Sequence, residues 1–87
     1  MSTARGDMGV AAVGDRVVVV GGENSTTVFK QVEVYEVKAR TWWRGPDLPT
    51  PRHGLGVAVV KDALYACAGG TAIGTSVTAT CEVLTLR

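Results

Sequence analysis

The apolar positions of this chain come in short blocks closed by glycine pairs. Val17, Val18, Val19 and Val20 run into Gly21-Gly22, and Leu64, Tyr65, Ala66, Cys67 and Ala68 run into Gly69-Gly70. Blocks of this length, rich in β-branched residues and bounded by turn residues, read as strands. Each has an apolar block before it. Met8-Gly9-Val10-Ala11-Ala12-Val13 precedes the first across Gly14-Asp15-Arg16, which supplies the turn of a β-hairpin. Both strands are apolar at nearly every position, a pattern that predicts a sheet covered on both faces.

After the polar stretch Glu23-Asn24-Ser25-Thr26-Thr27, the segment Val32-Glu33-Val34-Tyr35-Glu36-Val37 alternates as a half-exposed strand does. Lys38-Ala39-Arg40 turns the chain into a fourth strand, Thr41-Trp42-Trp43-Arg44. Pro46, Pro49 and Pro51 then forbid ladder bonding and force a connection. Beyond them the pattern restarts. Arg52-His53-Gly54-Leu55-Gly56-Val57 matches Arg5-Gly6-Asp7-Met8-Gly9-Val10 at an offset of 47, and Asp62 lies 47 after Asp15. The glycine pairs are offset by 48, and Glu33-Val34 against Glu82-Val83 by 49, so each loop is expected to have gained one residue. The second copy closes on Cys81-Glu82-Val83-Leu84-Thr85-Leu86-Arg87, which matches the third strand.

Composition narrows the function classes. Apolar residues make up 46% and aromatic ones 6%, which suits layers of small strands over a few large anchors. Nine basic and eight acidic residues, spread without blocks, give a net charge of +1 and no footprint for nucleic acid or an anionic membrane. No stretch has the length of an apolar membrane span and the start lacks a signal-peptide core, so the chain reads as soluble, with the cytoplasm favoured. Two cysteines and one histidine are too few for a zinc site or a disulfide scaffold.

A period near 50, four short strands per unit, a glycine pair after the second strand, and Tyr35 followed by Trp42 together resemble the kelch repeat, the blade of kelch β-propellers. The likeness covers essentially the whole chain and is fullest in the first copy, since Leu84 stands at the tyrosine position of the second. It implies an all-β fold of four-stranded antiparallel kelch blades, a partial β-propeller of about 7 strands. Residues 1–49 would form a complete first blade and residues 50–87 a second, three-stranded one. Gly21, Gly22, Tyr35, Trp42, Gly69 and Gly70 would be the structural motif, with Tyr35 and Trp42 buried between blades and Trp42 packed more tightly than Trp43.

Because propellers have ~4–8 blades, the resemblance also implies a fragment of a larger propeller, completed by further blades or by self-association. The loops before the first strand and after the glycine pair open on one face in such propellers, where peptides bind. Arg5, Glu23, Asn24, Arg52, His53 and Thr71 are the residues expected to meet a protein or peptide partner there. Arginine suits that role through bidentate bonds to carboxylates.

The remaining chemistry is sparse. Neither glycine pair is followed by the Gly-Lys-Ser/Thr and helix of a phosphate cradle, and Gly54-Leu55-Gly56 lacks the third glycine of a dinucleotide fingerprint. His53 has no second histidine or acidic cluster beside it in sequence, so it reads as an exposed loop residue. Cys67 and Cys81 fall where a hairpin could oppose them, and two small buried hydrophobes are expected in preference to a disulfide. No catalytic, cofactor or metal residues are expected. The leading function is a non-catalytic protein-protein interaction module. The alternative is a fragment of a carbohydrate-active or sugar-binding propeller enzyme whose catalytic groups lie on other blades.

Overall fold

The computed structural model describes residues 4–73 and 77–86. Within them the chain is all β, in seven strands: β1 (Gly9–Val13), β2 (Arg16–Val20), β3 (Val32–Glu36), β4 (Thr41–Arg44), β5 (Gly56–Val60), β6 (Ala63–Cys67) and β7 (Cys81–Thr85). They form two antiparallel sheets in simple sequence order, β1-β2-β3-β4 and β5-β6-β7. The hairpin turn between β1 and β2 needs a left-handed residue, which Gly14 supplies at φ 56°. Among the described residues no helix is long and apolar enough to cross a membrane.

Strand register decides which side chains meet. Across the first sheet, Ala11, Val18, Val34 and Trp43 stand in one row, and Val20 and Val32 in the next row of the same face. Val59, Leu64 and Leu84 form the matching row of the second sheet. These faces pack together, with Val18, Val20, Val32, Val34 and Leu64 fully buried and Trp43, Leu55, Val57, Val59 and Leu84 packed around them. Leu48 and Leu86 close the cluster from the connection and the end of the second sheet. Each buried Val or Leu contributes about 1.5–3 kcal/mol by leaving water, so this shared layer is the main source of cohesion.

The expectation that both faces are covered holds for one face of each sheet. On the outer face of the first sheet Val10 is 54% and Trp42 43% exposed, and on that of the second Tyr65 is 41% and Val83 58% exposed. Two layers bury chiefly the faces that meet, although Val19 and Glu33 on the outer face of the first sheet are buried as well.

Between these two sheets Trp43, and not Trp42, is the covered tryptophan. Tyr35 and Trp42 do pair directly across β3 and β4, with ring centroids 5.0 Å apart, yet both stand on the outer face. Trp43 points between the sheets, donates its indole N–H to Glu36 Oε2 at 2.6 Å and carries the Arg16 guanidinium 5.8 Å over its ring. Alternation along β4 permits only one of the two neighbours to face the second sheet.

The glycine pairs also align differently from their spelling. β5 and β6 follow β1 and β2 by 47 residues, and β7 follows β3 by 49. Gly21 and Gly22 have φ of 64° and 105°, and the matching values fall on Ala68 (62°) and Gly69 (76°). Ala68 therefore occupies the place of Gly21, and both extra residues lie in the loop between β6 and β7.

The cysteines are bonded. Cys67 and Cys81 are directly opposed in the β6–β7 ladder and form a disulfide, with Cα atoms 4.0 Å apart. The corresponding cross-strand pair in the first sheet is Val20 with Val32.

Candidate functional site

The loops preceding the first strand of each unit pair with those following the second. Gly6 and Glu23 bridge by backbone bonds in the first unit, and His53 and Gly70 do so in the second. The units are stitched to each other here: Gly22 N donates to Arg52 O at 2.7 Å, and Gly54 N to Asp7 O at 2.6 Å. Glycine makes the approach feasible, since a Cβ at Gly21 would collide with the Arg52 carbonyl oxygen.

Arg5 and Arg52, expected to reach toward a partner, turn inward. Arg5 Nη2 bonds Glu33 Oε1 at 2.6 Å, Nη1 bonds Gln31 O at 3.3 Å, and the guanidinium lies 5.9 Å from the centre of the Phe29 ring. Its side chain is fully buried, which pulls its pKa below the ordinary arginine value; Glu33 opposes that shift and Arg44 adds to it. Arg52 is satisfied more completely. Nε meets Glu82 Oε1 at 3.3 Å, Nη1 meets the carbonyls of Ala68 at 2.9 Å and Thr80 at 3.0 Å, and Nη2 meets Thr80 Oγ1 at 2.8 Å. Each arginine thus clamps the start of its unit to the third strand. The clamp was present in the sequence as Arg5 with Glu33 and Arg52 with Glu82, at offsets of 47 and 49.

His53 is also buried, at 4% exposure, and corrects the reading of an exposed loop residue without acids nearby. Its Nδ1 lies 3.0 Å from Asp7 Oδ2 and 3.3 Å from Glu23 Oε2, and its Nε2 lies 2.7 Å from Ala72 O. The hydrogen bond to Asp7 raises its pKa against the cost of burial, with Ala72 and Glu23 adding to the rise. Sequence reasoning missed this group because Asp7 is 46 residues away and enters only through the stacking of the units.

Asn24 and Thr71 remain on the surface of this face. Asn24 Oδ1 accepts from the backbone N–H groups of Thr26 at 2.9 Å and Thr27 at 2.8 Å, so its side chain braces the loop over residues 24–27. Exposed Ile73 lies just beyond Thr71.

Two stacked antiparallel sheets of consecutive strands, related by a repeat of nearly 50 residues, define a blade-repeat protein of the β-propeller kind. The description "Kelch motif" matches residues 4–49, more than half of the chain, and the chain belongs to the kelch-repeat family. It is 32% identical over 82 residues to Kelch-like protein terF of Aspergillus terreus, an alignment spanning 90% of this chain and 18% of that protein. It is 38% identical over 58 residues to Kelch-like protein 36 of Mus musculus, covering 64% of this chain and 10% of that protein. Against the influenza virus NS1A-binding protein homolog of Xenopus laevis it is 30% identical over 69 residues, covering 79% and 11%. The chain therefore spans less than a fifth of the length of each of these relatives.

Proposed function

We propose that this chain is part of a larger kelch blade array that binds a protein or peptide at its loop face and performs no catalysis there. The observation that carries the reading is the exposed loop over residues 24–27, braced by Asn24, at the end of the strands where the two units bond to each other and where Thr71 and Ile73 are also exposed. Functional residues favour loops fixed on a rigid scaffold. The name of the Xenopus relative, a binding protein, points the same way. With Arg5, Arg52 and His53 committed inside the fold, partner contact falls to Asn24, Thr71 and the solvent edge of Glu23.

A photo-reactive residue at Thr26 or Thr71 tests this against one at Asp15 or Lys61, which lie at the other end of the strands. Partner adducts should form from the first pair and not from the second. Equal yields, or adducts from Asp15 and Lys61 alone, would refute the assignment.

The stacking direction supports further blades. The face of the first sheet bearing Val18, Val34 and Trp43 packs on the face of the second bearing Val59, Leu64 and Leu84. By the repeat, the outer face with Tyr35 and Trp42 is the counterpart of that covered second-sheet face. A blade stacked there would cover Trp42, as the resemblance implies. Another copy of the chain can supply such a layer in place of a covalently linked blade. The weight-average mass should rise with concentration in sedimentation and fall back in Trp42→Glu. A sharply melting monomer at every concentration would sink this part of the proposal.

A further inference from the structure

Asp7, Glu23 and His53 converge from three loops in two units, and one atom of each lies within 4.8 Å of the others. The imidazole is held from behind: Nε2 is 2.7 Å from the Ala72 carbonyl oxygen, which can only accept, so Nε2 carries a hydrogen. That leaves Nδ1 as the atom aimed at Asp7 Oδ2 and Glu23 Oε2, 3.0 and 3.3 Å away. Two carboxylate oxygens and one ring nitrogen thus face a common point, Asp7 from a largely exposed position and Glu23 from a partly exposed one. A hydrogen on Nδ1 can lie along only one of the two directions, whereas a cation in the centre bonds all three atoms.

The donor types narrow the cation, and the distances are compatible with it. Zinc binds nitrogen and carboxylate oxygen at about 2.0–2.2 Å, so two ligands on one zinc ion at angles of 90–110° stand about 2.8–3.6 Å apart. Both nitrogen-to-oxygen separations fall in that interval. The carbonyl behind Nε2 is the outer support that metal-bound histidines characteristically have, since it fixes the ring orientation and the tautomer. Asp7 is more than half exposed, so coordination positions not filled by protein open to water. Magnesium prefers all-oxygen surroundings and keeps its waters, which leaves a borderline ion.

We propose that Asp7, Glu23 and His53 form a divalent zinc site that ties the first kelch unit to the second. Asp7 and Glu23 come from the first unit and His53 from the second, so metal bound there stabilises the junction by mass action. The site does not depend on the partner-binding reading above.

The test uses the 87-residue chain, stripped of metal with a chelator and with its disulfide intact, titrated with Zn²⁺ alone by calorimetry. One ion per chain is expected, with a melting temperature about 10 °C higher at about 100 times Kd and no response to the same concentrations of Mg²⁺. Glu23→Gln and Asp7→Asn should each weaken uptake at least about tenfold. His53 is the only histidine, so its ring ¹⁵N signals report without ambiguity: Nδ1 should shift on zinc binding while Nε2 keeps its hydrogen. Absence of saturable uptake, uptake unchanged in both carboxamide variants, or an unmoved Nδ1 signal would overturn the site and leave a hydrogen-bonded clamp. Equal uptake of Mg²⁺ would overturn its donor class.

Discussion

The two units solve one packing problem with different chemistry. Each anchors its lead-in segment to its third strand with a buried arginine, and each opposes the end of its second strand to the start of its third. In the first unit the arginine meets one carboxylate and a distant carbonyl, its Nε has no hydrogen-bond partner among the described residues, and the opposed strand ends are buried Val20 and Val32. In the second the arginine meets four acceptor atoms, and the strand ends are joined as Cys67–Cys81. The first unit relies on the sheet stacked against its valines. The second, whose equivalent row faces outward, relies on directional bonds and a covalent one.

The largest expected effect follows from the arginines. Arg52→Ala leaves the carbonyls of Ala68 and Thr80 without their buried donor and Glu82 with its bonds from Thr50 alone, and should cost about 3–5 kcal/mol. Arg5→Ala should cost less, because Arg5 makes fewer bonds than Arg52 and its Nε is unsatisfied among the described residues, although the change also removes the cation facing buried Glu33. Urea midpoints of the two variants give the order. Arg52→Lys should recover little, since an ammonium cannot present the planar fork that reaches Glu82, Ala68 and Thr80 together. An equal loss in Arg5→Ala and Arg52→Ala would erase the distinction between the units.

The disulfide comes next. It closes a separation of 14 residues, for which constraint of the unfolded chain is worth about 3 kcal/mol. The Cys67→Ala/Cys81→Ala variant should lose about 2–3 kcal/mol in a urea melt. Alkylation of the unreduced, denatured chain should label neither cysteine. Labelling of both would break the contrast with the valine pair of the first unit.

A smaller effect separates the neighbouring tryptophans. Trp43→Ala removes a ring from between the sheets together with the Glu36 hydrogen bond and should cost about 2–3 kcal/mol, near or below the low end for buried tryptophan because Trp43 is only partly buried. Trp42→Ala loses mainly the contact with Tyr35, worth about 0.5–1.5 kcal/mol. Thermal melts at low concentration, where no second copy covers Trp42, give the ranking. A greater loss from Trp42→Ala would restore the opposite packing.

The strands, their order and the family were legible in the sequence because they depend on local patterns: apolar blocks, turn glycines and a period. Which tryptophan faces the second sheet was not, because adjacent residues on a strand differ only in face and the face is set by the neighbouring sheet. His53 illustrates the same boundary. Its acids lie at Asp7 and Glu23, and no spacing rule joins them, because the contact is created by one unit stacking on the next. The arginine clamps sit between these cases. Arg5 with Glu33 and Arg52 with Glu82 repeat together along the chain, and a charge pair that recurs in both units is itself the mark of a contact.

The two units also differ in the residues that hold their left-handed backbone positions. Of the positive-φ positions flanking β2, the first unit places glycine at Gly14 and Gly21 where the second has Lys61 and Ala68, at φ of 56° and 62°, while Gly22 and Gly69 are glycine in both. A residue with a Cβ pays about 1–2 kcal/mol for that conformation, while glycine costs about 0.5–1 kcal/mol in extra unfolded-state entropy. The difference favours glycine, so Ala68→Gly and Lys61→Gly should each raise stability by about 0.5–1 kcal/mol, a gain of a few degrees in melting temperature. The reciprocal change is not symmetric. Gly21 carries the Arg52 carbonyl of the next unit against its α-carbon, so Gly21→Ala should lose more than Ala68→Gly gains. A loss of stability in Ala68→Gly would mean that the alanine side chain makes a contact worth more than its strain.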